Sequence, residues 1–241
     1  MSTAFAYALT RLHARIADRP GDHARRRLAA VDDFGHFLQL AARGGFKPWL
    51  TNLGTTSAVH AVEYALREAW RGRLDELAGW LPARWREPVK WLQQAPELPV
   101  LTEFLRHGRG PAWTGHDPRW TRLPAEPEAL RRVLIERWPA LEHFGNDELA
   151  QAWLAQARDL LPSVGGHGAK TLEALLKAQL EPARLQVSDT RWLLRVFRRD
   201  SSAPVKVFAY AGLERLDFEF LRGHLVRRRL QIQQPLAREA A

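Results

Sequence analysis

The chain has no cysteine at all, one methionine and three tyrosines in 241 residues. Without cysteine there is no disulfide, no thiolate metal site and no cysteine nucleophile. The lack fits a reducing compartment. Long apolar runs are missing too, and none approaches the roughly 20 residues that span a bilayer. The first twenty residues carry Arg11, His13, Arg15, Asp18 and Arg19, which is not the pattern of a secretory signal. The expected location is cytoplasmic, with peripheral attachment at the inner face of a membrane as a variant of it. Lysine is also scarce. Only five of the 36 basic residues are lysines, so the net charge of +9 is carried mainly by arginine.

A basic, arginine-rich surface favours anionic partners such as nucleic acid, an anionic membrane or an acidic protein. The densest groups are Arg25-Arg26-Arg27, Arg198-Arg199 and Arg227-Arg228-Arg229. None is a run of five or six like charges. A high arginine usage on an ordinary solvated surface explains the same numbers.

Apolar spacing predicts helices almost throughout. From Ser57 to Leu81, apolar residues fall at Val59, Val62, Leu66, Trp70, Leu74, Leu77 and Leu81, in steps of three or four. That is one stripe on an α-helix. Thr56 or Ser57 is a suitable cap, and Pro82 stops the helix. Phe5, Leu9, Leu12 and Ile16 form a stripe that Pro20-Gly21 breaks. Asp22 then opens a helix expected to run to about Arg43, ended by Gly44-Gly45. Further stripes are Trp85-Val89-Leu92, Leu98-Leu101-Leu105 (closed by Gly108), Leu130-Leu134-Trp138 and Leu149-Trp153-Leu160 behind an Asn146 cap. Leu172, Leu175 and Leu176 lie in the next, and Trp192 and Val196 in the one after. The last helix is expected from near Pro204 to Arg229. Val205 to Phe208 alternates, but hairpin turns are absent. The fold class is all-α, a multi-helix bundle of two packed lobes. The expected division is 1–108, a Gly/Pro-rich connector at 109–127, and 128–241.

Catalytic motifs are weak. Gly165-Gly166-His167-Gly168-Ala169-Lys170-Thr171 echoes a phosphate loop, but Val164 and Ala169 stand where that motif needs glycine. A glycine-rich turn between helices accounts for it. His60 and Glu63 share a helix face without the second pair that a di-metal bundle uses. His116-Asp117 precedes Pro118 and reads as a turn starter. No carboxylate pair demands an acid/base role. The expectation is a non-enzyme without metal or cofactor.

Ten tryptophans are the unusual feature. Trp70, Trp85, Trp91, Trp138, Trp153 and Trp192 fall on or beside apolar stripes and are expected in the core. Trp49, Trp80, Trp113 and Trp120 lie near helix ends or loops, where aromatics beside arginines resemble interface anchors.

The closing segment carries a family resemblance. Val207-Phe208-Ala209-Tyr210 leads into a helix bearing Glu219, Leu221-Arg222 and Arg227. This resembles the end of the rotary V/A-type ATPase subunit called d in vacuolar enzymes and C in archaeal ones; His60, Glu63, Leu66 and Arg67 are a fainter echo. The resemblance covers about 25 residues, roughly a tenth of the chain. That family stacks three helical units, and the length here has room for two. It implies a helical, non-catalytic coupling subunit that seats a soluble motor on a membrane ring. Arg222, Arg227 and Arg228 are then the candidate partner contacts, with Trp113 and Trp120 as loop anchors. The alternative is a basic helical nucleic-acid-binding or regulatory protein.

Overall fold

The computed structural model describes residues 3–180 and 187–239, with side chains over 3–180 and 190–232. It is all-helical, with no strand among the described residues. The helices are α1 (Thr3–Asp18), α2 (Asp22–Ala29), α3 (Phe34–Ala41), α4 (Val59–Gly79), α5 (Ala83–Trp91), α6 (Leu98–His107), α7 (Pro118–Thr121), α8 (Pro127–Arg137), α9 (Leu149–Leu160), α10 (Gly166–Leu180), α11 (Val187–Arg199) and α12 (Ala203–Glu239). Among the described residues, no helix is long and apolar enough to cross a membrane.

Local chemistry moved some expected boundaries. The helix expected from Asp22 to Arg43 is two helices. Asp33 interrupts it, its carboxylate accepting from the His36 N–H at 2.6 Å to start α3. Short acidic side chains favour this capping geometry over a helix interior. At α4 neither Thr56 nor Ser57 is the cap; Ala58 holds that place, and Ser57 Oγ instead accepts from the Gly54 N–H at 3.0 Å. Gly108 closes α6 in the left-handed region, φ 67°, where a side chain is strained. Val205 to Phe208 is helical, the first turns of α12.

Helix α12 is the axis of the molecule. It packs against α1, α3, α4, α10 and α11, and every residue from Val207 to Phe218 is buried. A helix apolar on one stripe only would be amphipathic; one enclosed all round belongs to the centre. Gly212 permits the closest approach, since a Cβ there would meet Leu193 Cδ2 of α11 at 2.9 Å. Buried side chains from 1–108 and from 128–241 belong to one continuous apolar cluster.

The connector is not a free loop. Trp120 stacks on Phe104 of α6, with ring centres 5.7 Å apart and planes 5° apart. Trp113 covers the guanidinium of Arg67 on α4 at 4.2 Å. Asp117 starts α7, accepting from the Arg119 N–H at 3.0 Å.

Candidate interaction site and the buried ion-pair chain

One chain of ten alternating charges joins α4 and α12 to Glu97 and the connector, buried at Glu63, Arg67 and Arg215 and reaching the surface at Glu68 and Arg222. It runs from Asp117 to Arg119, Glu68, Arg71, Glu97, Arg67, Glu63, Arg222, Glu219 and Arg215. Arg67 and Glu63 are each 1 % exposed. Arg67 donates to Glu97 at 3.1 Å and also reaches Glu63 one turn back. Burial pushes the Glu97 carboxyl above its usual range, against the pull of Arg67 and Arg71.

Arg215, at the far end, is enclosed. Burial lowers its guanidinium to about 10, and among the described residues its Nε and Nη1 have no hydrogen-bond partner. Among the described residues its carboxylate contact is Glu219, at 2.8 Å, and the rings of Trp70 and Phe218 lie against it. A buried guanidinium with unmet donors is costly, so this end of the chain is held by packing.

A second set of pairs crosses between α1, α4 and α12. Arg19 reaches Asp217 at 2.8 and 3.0 Å, Arg73 reaches Glu214 and lies 3.4 Å from the Tyr210 hydroxyl, and Arg15 reaches Glu76 at 2.6 Å. The three arginines and their carboxylate partners line a cavity of about 460 Å³ together with Asp18 and Trp49. Its three arginines already face carboxylates, and Asp18 adds a fourth acid to the lining.

The five residues singled out from the sequence part company here. Arg222 is half-buried and donates to both oxygens of Glu63. Arg228 is 2 % exposed, and its guanidinium donates to the carbonyls of Val31, Ala29 and His224. It ties α12 to the turn between α2 and α3. Trp120 is buried and Trp113 half-buried, both packed within the chain. Arg227 is exposed. Of the candidate partner contacts, Arg228 and Trp120 are therefore buried within the fold, and Arg227 is the one fully at the surface. An arginine flanked by free carbonyls, or an aromatic beside another ring, folds inward when the tertiary structure supplies the partner. Trp49, also expected near the surface, is 2 % exposed. His60 stacks on His116 at 4.2 Å, away from the ion pairs of Glu63.

Sequence reasoning missed the groove beyond these positions. Arg222, Gly223, Val226, Arg227, Leu230 and Gln231 line one face of α12. Leu230 is 47 % exposed and Ile232 44 %. Their spacing, 223, 226, 227 and 230, was legible as a helical stripe, but nothing local says whether another segment covers it. Among the described residues, no group of three or more His, Asp or Glu side chains is placed to hold a metal ion. No family model matches the chain, and neither the curated proteins nor the solved structures contain a significant match.

Proposed function

We propose that this chain is a non-catalytic helical subunit that couples parts of a larger assembly, in the manner of the rotary V/A-type ATPase subunit d or C. The observation that carries the reading is α12 itself. It is enclosed over Val207 to Phe218, pinned by ion pairs to α1 and α4, and then emerges with Leu230 and Ile232 exposed. A helix clamped from Val207 to Phe218 and exposed at Leu230 and Ile232 is a stiff strut with a contact surface. Exposed apolar side chains beside arginine are the material of protein interfaces.

The inward ion pairs support the same reading. Acidic and basic groups that pair with one another hold geometry. The partners are other protein subunits, and the site of action is the cytoplasmic face of a membrane complex. Affinity purification of the tagged chain from native membranes, followed by mass spectrometry, tests this. The expected result is stoichiometric recovery of rotary ATPase subunits or of another membrane complex. Recovery of the chain alone from both membranes and cytosol overturns it. So does tight, salt-sensitive binding to DNA or RNA, which would place the arginines on phosphate instead.

A further inference from the structure

We propose that a cleft where the connector meets both lobes binds a small carboxylate with an aromatic or branched apolar body. The cleft has a volume of about 280 Å³. Arg71, Glu97 and Leu101 line it from 1–108, Arg119 and Trp120 from the connector, and Arg137 and Trp138 from the C-terminal part. Ligand sites favour such junctions, and most are apolar clefts with a few placed polar groups.

Charge selects the ligand class. Glu97 is the one carboxylate in this lining, and Arg67 and Arg71 both hold it. Arg71 is engaged further by Glu68, and Arg119 by Glu68 and Asp117. Arg137 is different. It is exposed, and among the described residues it makes no ion pair and no side-chain hydrogen bond. The cleft therefore has one positive charge in surplus. One surplus charge fits a monoanion, and a guanidinium presents paired N–H donors to a carboxylate. A phosphate dianion would bring a second negative charge for which the other two arginines are already committed.

Trp120, 5 % exposed, contributes to the cleft wall. Its Nε1 is closed off from solvent and has no hydrogen-bond partner among the described residues, so its signal reports on what fills the cleft beside the ring. Trp138, 2 % exposed, offers an apolar wall with Leu101, Leu123 and Leu134. A volume near the lower end of ligand sites, roughly 300 Å³, limits the body to about one ring.

Phenylacetate, its neutral amide phenylacetamide, and inorganic phosphate are suitable probes for the full-length chain. The readout is the Trp120 indole N–H signal in nitrogen-15 NMR spectra, assigned by its loss in Trp120→Phe. Phenylacetate is expected to move that signal saturably with a Kd of about 1 mM or tighter. Phenylacetamide binds at least about tenfold more weakly, because it forms no ion pair. Arg137→Gln weakens phenylacetate about tenfold and leaves the amide unchanged. Arg137 is exposed, so that variant is expected to keep the parent melting temperature. The proposal is overturned by the absence of a saturable shift, by equal affinity for acid and amide, or by phenylacetate binding that survives Arg137→Gln. Tighter binding of phosphate than of phenylacetate also overturns it.

Discussion

Arg222 donates to both carboxylate oxygens of Glu63, at 3.0 and 2.9 Å, across 159 residues of chain. The bond joins the last helix to the start of α4. It is a lopsided pair, for Glu63 is 1 % exposed while the Arg222 side chain keeps 36 % of its surface. Removing either end therefore has different consequences.

Glu63→Ala leaves Arg67 without the carboxylate one turn back while it stays enclosed. Breaking a buried pair from one side typically costs about 3–5 kcal/mol. Arg222→Ala removes a partly solvated partner, and Glu63 keeps Arg67, so about 1 kcal/mol is expected. Urea titrations of the two variants check the order. Equal losses would place the strength of the network elsewhere.

Arg215→Met goes the other way. The arginine is 1 % exposed with two unmet nitrogens, and methionine fills a similar volume without a charge to desolvate. Glu219 keeps Arg222 at 3.7 Å and is partly solvated. Stability is expected to stay level or to rise by about 1–4 kcal/mol, as when other buried ion pairs give way to apolar packing. A clear drop in the urea midpoint would mean that Arg215 is held by more than its contacts with Glu219 and the rings.

His224 makes folding depend on pH. Burial, with Arg228 and Arg227 beside it, lowers the ring to about 4. Phe37 and Phe220 pack on it, and Nδ1 faces Arg228 at 3.0 Å and Arg227 at 3.4 Å. The unfolded ring titrates near about 6.5. A lowered folded value means that the contribution is whole above pH 6.5 and is lost as the pH falls toward 4. After allowance for partial solvent access, the loss is about 1–3 kcal/mol. Urea midpoints measured from pH 7 to 4 for the parent and for His224→Phe check this; the variant is expected to show a shallower fall.

Leu230→Asp separates folding from assembly. Leu230 is 47 % exposed, so stability should shift by no more than about 0.5 kcal/mol. If the face of α12 around Leu230 is a contact surface, recovery of partner subunits from native membranes drops sharply. Unchanged recovery would move the contact to another face.

Trp153→Ala tests the core. Trp153 is fully buried and stacks with Trp91 at 6.3 Å, and its backbone carbonyl accepts from Trp91 Nε1 at 3.1 Å. Losing so large a side chain costs about 3–5 kcal/mol. Thermal or urea unfolding measures it directly.

Spacing alone determined the helical class. Apolar residues three and four apart, with Pro82 and Gly108 as stops, lead to α4 and α6 whatever surrounds them, because helix periodicity is a local property. The same spacing placed Trp70, Trp85, Trp91, Trp138, Trp153 and Trp192 in the core; the first five are buried, and Trp192 packs against the core partly buried. Which charges turn inward was not local. Arg67, Arg222 and Arg227 look alike along the chain, and only the packing of α12 against α4 buries the first, half-buries the second and leaves the third in water. Trp120 and Arg228 moved inside for the same reason, since Phe104 and the carbonyls of Ala29 and Val31 come to them from distant segments. The cleft at Arg137 depends on three segments meeting. Sequence periodicity decides what each helix can bury; tertiary contact decides what it buries against, because desolvation and ion pairing depend on neighbours that sequence order does not fix.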